Sequence, residues 1–363
     1  MNNQPRIYID FHVLQTVPPS CVNRDDTGSP KTAVYGGTVR ARVSSQAWKH
    51  AMRREFERIF PSGQLGARTK HIVGFVSEEI KALSPEANAE ELAKRILTAA
   101  GLKIKDTDKG TDALFFMSRA QARMLAQMAV DHPEKLKDKV DTAVVAALRE
   151  EPSIDMVLFG RMVADDPSLN YDAAAQVAHC ISTHTVHNEF DYFTAMDDRS
   201  PEDNAGAAHL DTTEYNSSTL YRYATVNAVE LLKHLHEDTP SVIRGFAEAL
   251  ICSMPTGKQN SFANRTLPSD VYVAVRTDQP VNFAPAFEKA VRADPEGGYI
   301  VPSEAALKRY VDELYSTFAD KPVLALGVGK AMAALGAEVM PMSSMLDTLE
   351  NWVRENVRED GVV

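Results

Sequence analysis

The segment IYIDFHV, residues 7–13, alternates apolar and polar side chains with a period of two. Such alternation predicts a half-buried β-strand. A second short strand is predicted at TVRARV, residues 38–43, and a helix over about 45–60, where apolar residues recur at spacings of three and four. The chain therefore begins as strand, loop, strand and helix.

The middle of the chain is predicted to be helical. From about 62 to 177 the sequence is rich in alanine, and we expect a separate helical lobe inserted into the first domain. Its helices are expected near 70–82, 87–99, 112–130, 134–149 and 171–182.

Strands and helices alternate again near the C-terminus. Side chains alternate around Tyr221 and around Val271 as in strands, and Thr239 followed by Pro240 is a good N-cap and first-turn pair for a helix between them. Late helices are expected near 303–318 and 345–356. Strand–helix–strand repeated around one sheet is the ferredoxin-like order, which many RNA-binding modules share. The predicted fold class is α+β.

Residues 188–218 differ from the rest of the chain. They hold few aliphatic residues and many Asp, Asn, Ser and Thr. A segment of this length without a core pattern is either disordered or a functional protrusion.

The overall composition is that of an ordinary globular protein. The chain has 363 residues, of which 44% are hydrophobic and 25% charged, and this excludes wholesale disorder. No stretch approaches the roughly 18 apolar residues of a membrane span, and the N-terminus lacks a signal-peptide pattern. Cys21, Cys180 and Cys252 lie far apart, so neither a disulfide framework nor a cysteine-rich zinc site is expected, and the expected location is the cytoplasm.

Net charge differs between the whole chain and its N-terminal part. With 39 Lys+Arg against 50 Asp+Glu the formal charge is −11, which by itself argues against nucleic acid as a partner. Residues 1–60, however, hold nine basic and five acidic residues, and residues 27–54 hold six basic residues and no acidic one. The first 60 residues therefore carry +4 and the remainder −15, so a basic surface is expected in the first part.

The basic residues of this part are placed in pairs. Arg40 and Arg42 are two apart in a predicted strand and point to the same side, while Lys49 and Arg53 are four apart and share a helix face. The usual interpretation is a solvated basic face. The absence of acidic residues from 27–54 favours a nucleic-acid surface instead.

The predicted helix also begins with polar residues. Ser44, Ser45 and Gln46 bring hydroxyls, an amide and backbone N–H groups to one point. Such a point suits a phosphate.

Histidines and paired acids offer a rival, metal-based hypothesis. His179, His184 and His187 have Glu189 and Asp191 nearby, but their spacing matches no zinc signature, and a helix-end histidine cluster with ordinary hydrogen bonds is favoured. The acid pairs are turn-like in context, where Asp usually bonds its own backbone. They are Asp25–Asp26, Asp165–Asp166 and Asp197–Asp198.

Other motifs indicate contact surfaces rather than catalysis. GVGK at 327–330 lacks the first glycine and the Ser/Thr of a P-loop, and no nucleophile signature is present. Arg161 and Met162 in FGRMVAD form one candidate contact, with the Met available as a wedge against a base. Gly257, Lys258, Gln259 and Arg265 in SMPTGKQNSFANR form another, a polar basic loop suited to contacts with nucleic-acid backbone.

The stretch PPSCVNRDDTGSPKTAVYGGTVRARVSSQAWKHAMR, residues 18–53, resembles the N-terminal signature of the CasC-type backbone subunit of the type I-E CRISPR surveillance complex, Cascade. The resemblance continues in the same order through FGRMVAD, ISTHTV, DYFTAMDD, AHLDTTEYNSSTLYRYATVN and PTGKQNSFA. It spans most of the chain.

The resemblance implies a non-enzymatic, cytoplasmic RNA-binding protein of antiviral defence, with no cofactor. Copies, usually six, would form a helical filament along the CRISPR guide RNA, leave it free to pair with a target DNA strand, and assemble with other Cascade subunits. It implies a modified ferredoxin-like, RNA-recognition-motif palm with inserted helical fingers and an extended β-hairpin thumb. The implied boundaries are 1–60 and 223–363 for the palm, 179–187 for a palm connection, 61–178 for the fingers and 188–222 for the thumb.

The resemblance also implies roles for particular residues. Those that fall where the family's palm grips the RNA backbone are Arg24, Lys31, Ser44, Gln46, Lys49 and Arg53. Those that fall where bases are wedged or displaced are Met162, Phe193, Thr194 and Met196. Basic residues that would line a path for target DNA are Lys135, Lys137 and Lys139.

Three hypotheses therefore stand. The first is a guide-RNA scaffold, whose RNA-binding residues include, besides those above, Arg40, Arg42, Arg161, Lys258 and Gln259. The second is a metal-dependent nucleic-acid-processing enzyme using His184, His187 and a doubled Asp. The third is a scaffold that binds only protein.

Overall fold

The computed structural model describes residues 6–106, 110–111, 114–136, 140–163, 166–194, 210–358 and 361–362. These residues form a mixed α+β fold. The helices are α1 (Ser45–Ile59), α2 (Ile72–Leu83), α3 (Ala89–Ala99), α4 (Arg119–Asp131), α5 (Thr142–Ala147), α6 (Ile154–Phe159), α7 (Ala228–Leu235), α8 (Thr239–Cys252), α9 (Gln259–Phe262), α10 (Ile300–Thr317) and α11 (Met342–Asn356). The strands are β1 (Tyr8–Ser20), β2 (Thr32–Tyr35), β3 (Thr38–Val43), β4 (Gly66–Thr69), β5 (Ile104–Asp106), β6 (Gly110–Thr111), β7 (Phe115–Ser118), β8 (Ala175–Val177), β9 (Cys180–Ser182), β10 (Glu189–Thr194), β11 (Leu210–Asn227), β12 (Asp270–Arg276), β13 (Leu324–Val328), β14 (Glu338–Val339), β15 (Val357–Arg358) and β16 (Gly361–Val362).

One large sheet organises the strands. Its order is β14-β13-β12-β1-β11-β9-β3-β2, with β8 and β10 also paired to β11. β1 pairs antiparallel with β11 on one side, from Tyr8↔Asn227 onward, and with β12 on the other, from Tyr8↔Arg276. The edge pair β13–β14 is parallel, so the sheet is mixed.

The central strand β1 is buried on both faces, so the prediction of a half-buried strand is wrong. On one face Phe11 packs against Phe246 of α8, with ring centroids 5.6 Å apart. On the other face Asp10 and His12 are buried as well, and the His12 ring stacks on Phe283 at 3.8 Å and 7°. Polar residues alternate along β1 because this second face carries a hydrogen-bonded aromatic layer rather than solvent.

The chain divides into two compact units. The first comprises residues 1–55, 177–229 and 246–363, and the second 56–176 and 230–245. Residues 230–245 therefore belong with the helical unit, whereas the boundaries that the resemblance implies place them in the second part of the palm. Within the helical unit the Tyr171 hydroxyl hydrogen-bonds His234 Nδ1 at 2.8 Å, and Gly245 lies so close to Phe60 that a Cβ would be 2.4 Å from the ring.

The helical unit is partly as predicted. α2 and α3 confirm the first two expected helices, and their buried side chains share a core with α4. The helix expected from residue 112 begins later, at Arg119, where Ser118 and Gln121 form a capping box. Of the expected 134–149 helix only α5 and a 3₁₀ turn at 133–135 are present in the described residues.

The helix predicted over 171–182 is wrong. This stretch contains the strands β8 and β9. Ile181 pairs with Tyr221 on one side and Arg42 on the other, so long-range ladder pairing decides its conformation. The described ranges contain no helix long and apolar enough to cross a membrane.

The layer that covers β1 yields a stability prediction. Phe283 is 1% exposed, stacks on His12 and donates its backbone N–H to the Tyr221 hydroxyl at 2.9 Å. We expect Phe283→Ala to lower the free energy of unfolding by about 3–5 kcal/mol, because it opens a cavity against the sheet. Urea unfolding followed by circular dichroism measures this change.

Phe318 provides the matched control, since its side chain is 87% exposed. We expect Phe318→Ala to change the free energy of unfolding by no more than about 0.5 kcal/mol. Equal losses in the two variants would contradict the covered-face description.

Candidate nucleic-acid interface

The start of α1 lies where the sequence predicts it and is tied to the preceding loop. The Ser44 hydroxyl accepts from the Ala47 N–H at 3.3 Å, as an N-cap does, and the Ser44 N–H donates to Asn23 Oδ1 at 2.9 Å. Ser44 is itself buried, so its hydroxyl serves the helix, and the exposed polar side chain at this point is Gln46. The guanidinium of Arg222 lies 3.8 Å from the Trp48 ring and anchors the helix to β11.

The loop before β2 is a tight hydrogen-bonded turn. Asp25 Oδ1 accepts from the N–H groups of Thr27 and Ser29 and from the Thr27 hydroxyl. The bond from the Thr27 hydroxyl is the main cause that lowers the pKa of Asp25. The carboxylate thus shapes the turn, as the turn-like context of Asp25–Asp26 predicts, and Arg24 beside it is exposed.

The loop at 255–259 packs directly on this turn. A Cβ on Gly257 would lie 2.3 Å from the Val22 carbonyl oxygen, so only glycine allows the approach. The next residue, Lys258, donates from Nζ to the Thr213 hydroxyl of β11 at 3.2 Å. Burial raises the pKa of the Cys21 thiol, the charges of Lys258 and then Arg24 lower it, and those of Asp25 and Glu214 raise it. The candidates Arg24 and Lys258 therefore both act on Cys21, together with two carboxylates.

A cleft of about 880 Å³ opens beside these loops. Its lining is of mixed charge. The basic side chains and His50 are accompanied by acids, and the charged or ionisable lining residues are Arg24, His50, Arg54, Arg265, Asp25, Asp26 and Glu55. Arg265 belongs to the basic loop that the sequence predicts as a backbone contact, whereas Arg54 was not among the predicted site residues. The acid-free 27–54 stretch includes Arg54, and the SMPTGKQNSFANR loop includes Arg265, so the signals were present in the sequence.

A second group of nitrogen-bearing side chains lies at β3. Arg42 donates from Nε to the Thr32 carbonyl at 3.2 Å, and its Nη1 lies 3.1 Å from His179 Nδ1. Burial is the main cause that lowers the pKa of His179, and the charges of Arg42 and Lys31 lower it further. Lys31, Arg42 and His179 therefore form one cluster. The sequence predicts Lys31 and Arg42 as RNA-binding residues but not His179.

Lys49 and Arg53 lie four residues apart on α1, and both are half-buried. Burial lowers the pKa of Lys49. Its ammonium group is therefore partly desolvated, and a phosphate placed there would interact with it more strongly than with a fully hydrated lysine.

The position of Arg40 contradicts the prediction that it contacts RNA. Its side chain is 0% exposed, and its guanidinium donates to four backbone carbonyls at 2.9–3.1 Å. The acceptors are Ser182, Thr183, Phe287 and Glu288. Burial lowers the pKa of Arg40, and its role is to join β3 to these two segments.

The position of Arg161 likewise contradicts the prediction that it binds RNA. It is buried in the helical unit and donates to the carbonyls of Leu169 and Leu148, both at 2.8 Å. Burial lowers its pKa to about 10. The adjacent Met162 is 86% exposed, so the Met, not the Arg, is available at this surface.

β10 and the first part of β11 form an antiparallel ribbon within the predicted thumb segment. Phe193 pairs with Asp211 and is exposed on one face, while Phe190 and Tyr192 are exposed on the other. Thr194 ends β10, opposite Leu210. Gln259, on the loop that meets this ribbon, begins α9.

Several candidates lie outside the part that the structure describes. Met196, Lys137 and Lys139 are outside the described residues, as are Asp165 and the pair Asp197–Asp198. Lys135 ends the 3₁₀ turn at 133–135, and its side chain is not described.

The histidines do not form the expected helix-end cluster. His184 lies in the loop between β9 and β10, with Nδ1 2.9 Å from the Thr185 carbonyl and Nε2 accepting the Thr219 N–H at 3.0 Å. Its ring stacks on Tyr299 at 3.6 Å. Burial lowers its pKa, and both nitrogens are engaged. Among the described residues no three His, Cys, Asp or Glu side chains are grouped as a metal site would require.

Comparisons with known proteins show that this chain is similar to chains of one kind of assembly. The family model described as CT1975-like protein matches residues 9–353. A chain of a solved "CRISPR RNA-guided surveillance complex, pre-nicking" is 32% identical, with a TM-score of 0.82 over 94% of this chain and 100% of that one. A chain of a "CRISPR RNA-guided surveillance complex" is 26% identical, with a TM-score of 0.74 over 95% of this chain and 99% of that one. The search of curated proteins finds no match.

The contrast between Arg40 and Arg42 is testable. We expect Arg40→Ala to lower the free energy of unfolding by about 3–5 kcal/mol, because it leaves buried carbonyls without donors. We expect Arg42→Ala to lower it by no more than about 1 kcal/mol, because its guanidinium is partly solvated. Urea unfolding of both variants measures the difference, and similar losses would refute the structural role of Arg40.

Proposed function

The chain belongs to the CT1975-like protein family, and from that premise we propose that it is a CasC-type backbone subunit of a CRISPR RNA-guided surveillance complex, Cascade, of type I-E. The observation that carries this proposal is the convergence of Arg24, Lys258 and the start of α1 through the Asn23–Ser44 and Gly257–Val22 contacts. The protein acts without catalysis. It polymerises along the guide spacer, usually as six copies in a helical filament, and presents the spacer for pairing with target DNA in antiviral defence.

The core of the first unit supports a ferredoxin-like palm. In chain order, β1, α1, β9, β11, α8 and β12 give strand–helix–strand twice. The strands lie in the order β12-β1-β11-β9, with antiparallel neighbours. This order supports a ferredoxin-like palm, an arrangement that many RNA-recognition modules share.

The palm does not hold RNA as a simple RNA-recognition motif does. Such motifs stack bases on aromatic side chains of the open sheet face. Here the corresponding aromatics, Tyr221, Tyr223 and Tyr272, are buried beneath Phe283 and Phe287. The RNA is therefore held beside the sheet, by the turn at 24–31, the start of α1, the loop at 257–259 and the ribbon.

The residue types at this surface suit a guide of any sequence. Arg24, Lys31, Arg42, Lys49 and Arg53 provide charge for phosphates. Ser44 with Gln46 provides a helix start whose amides favour anions. A protein that carries variable guides must contact backbone and leave base edges free for pairing.

The remaining predicted roles are part of the same proposal. Met162, Phe193, Thr194 and Met196 displace bases, since methionine and aromatic side chains pack against the face of any base. The helical unit acts as the fingers and residues 188–222 as the thumb. Lys135, Lys137 and Lys139 line a path for target DNA, the other Cascade subunits are the protein partners, and the complex works in the cytoplasm. The metal-dependent alternative has no comparable support, because His184 is committed to backbone partners.

Replacement of two basic residues of α1 by alanine tests the binding of guide RNA. We expect Lys49→Ala with Arg53→Ala to weaken binding about 10-fold at physiological salt, equally for guides of unrelated sequence. The slope of log affinity against log salt should become shallower by about 2, one for each lost phosphate contact. Fluorescence anisotropy with two labelled guide RNAs measures both quantities.

Lys308→Ala with Arg309→Ala is the matched control, because it removes the same charges from an exposed part of α10. We expect this control to retain the binding and the salt slope of the parent chain. A loss confined to one guide sequence, or equal losses in control and test, would exclude the proposed surface.

The ribbon provides a test of assembly. Thr194 and Leu210 are paired, so residues 195–209 can be replaced by a two-residue Asn-Gly turn without changing the register. We expect this variant to keep the thermal midpoint of the parent chain but to lose the regular periodic protection of bound RNA against nuclease. A variant that protects RNA with the parental periodicity would contradict the thumb assignment.

A further inference from the structure

The large sheet of the first unit ends at an exposed hairpin. Among the described residues β2 is the last strand on this side of the sheet, and the two-residue turn Gly36-Gly37 joins it to β3. Val34 of β2 is 74% exposed, and its cross-strand partner Val39 is exposed as well. This edge therefore presents an apolar pair that has no part in the RNA-binding surface proposed above.

The hydrogen bonds of β3 show which backbone groups are open at this edge. The Ala41 N–H donates to Ser182 Oγ at 3.0 Å. The Val39 carbonyl accepts from the Val186 N–H at 3.0 Å, so Ala41 and Val39 both direct their backbone away from β2. Residues directly opposite each other in an antiparallel ladder either bond to each other or both point away. Because Val34 lies opposite Val39, its N–H and C=O point out of the sheet, where another strand can accept them.

β10 provides a second open edge. Among the described strands it pairs with β11 alone. Phe190 and Tyr192 are 62% and 71% exposed on one of its faces. Glu189 and Asp191 are exposed on the other face, which also carries Phe193. The strand is therefore aromatic on one face and predominantly acidic on the opposite face.

The edge at β2 is divided in a complementary way. Val34 and Val39 lie on one face of the hairpin. Lys31 and Arg42 are an odd number of residues away from them and partly exposed, so their side chains lie on the opposite face. The edge is therefore apolar on one face and basic on the other.

The two edges match on both faces at once. Strands that pair edge to edge bring opposite side chains onto the same face. A register that places either aromatic residue of β10 beside Val34 also brings the acidic face of β10 to the side of Lys31 and Arg42. A shift by one residue would reverse both matches. The two cations keep donors for a phosphate, since an ammonium group has three and a guanidinium five.

We propose that β10 of one copy of this chain adds as a further strand to β2 of the next copy. The contact joins two different surfaces of identical chains, so it extends from copy to copy instead of pairing two copies symmetrically. Both edges are short, so the contact is weak between free copies and stronger between copies held on one guide. The inference rests on the proposed function in that the guide brings copies together, and it adds the surface through which they touch.

Disulfide formation between copies tests this pairing. A full-length chain with Val34→Cys is mixed with one carrying Phe190→Cys or, separately, Tyr192→Cys, on a guide RNA long enough for several copies, and the thiols are oxidised with copper phenanthroline. We expect at least one mixture to give a covalent dimer with one chain of each kind. A chain carrying both substitutions should give a series of linear multimers. Electrophoresis without reductant and mass spectrometry of the linked peptides measure these products.

Asp191→Cys is the matched control, because Asp191 is exposed between the two aromatic residues but on the opposite face. We expect its mixture with Val34→Cys to give at least about 10-fold less dimer than the better test mixture, since its thiol lies on the other side of the sheet. The parent chain, in which Cys21 and Cys180 are buried, gives the background.

Equal cross-linking in all three mixtures, or none above the parent chain, overturns the proposal. It is also overturned if guide RNA shields the Phe190→Cys and Tyr192→Cys thiols and no cross-link forms, because nucleic acid then covers this face. Fluorescence anisotropy measures guide binding by the same variants. Guide binding without the cross-link refutes this inference alone. The cross-link at high chain concentration without any guide binding refutes the proposed function alone.

Discussion

Burial of β1 on every side is the constraint on which the rest of the structure depends. This strand is hydrogen-bonded along both edges, to β11 and β12, and covered on both faces, by Phe246 and by Phe283. A sheet enclosed in this way offers no open aromatic face to nucleotide bases. The groups that remain for a polyanion lie on a turn, a helix start and a loop outside the sheet, and on β3 and the β10–β11 ribbon.

The arginines discussed above fall into two kinds, buried and exposed. Arg40, Arg161 and Arg222 are buried and donate to backbone carbonyls, whereas Arg24 is exposed and Arg42 is partly exposed. A planar guanidinium with five donors can satisfy several carbonyls at once, so a buried arginine is an effective connector between segments. Arg40 and Arg42 share one side of a strand. Arg40 is structural because its guanidinium meets the carbonyls of residues 182–183 and 287–288, which are remote from it in the chain.

What could be predicted from the sequence is local, and what could not is long-range. The helix start at Ser45 follows from the Ser44 cap, and the strand at 270–276 follows from alternation. The helix α8 begins at Thr239, but Thr239 is not its N-cap as predicted, because its backbone is already helical and its hydroxyl has no hydrogen-bond partner. The stretch 171–182 was mispredicted because Ile181 finds its ladder partners far along the chain. Within the site, the basic face of α1 was visible in the sequence. The cleft lined by Arg54 and Arg265 was not, because it exists only once the loop at 253–257 packs on the turn at 22–28.

The formal charge of −11 is a sum over the whole chain and does not describe the charge at any one surface. At physiological ionic strength a charge is screened over about 8 Å, so a phosphate at the start of α1 responds to its immediate neighbours rather than to the sum over 363 residues. Those neighbours include residues of the stretch 27–54, which holds no acid, and Arg24 and Lys258, which the fold brings beside it. Asp25, Asp26 and Glu55 also line the adjoining cleft. On the proposed function, an acidic chain holds RNA at one locally basic surface, and we expect the excess of acid elsewhere to disfavour contact with other polyanions.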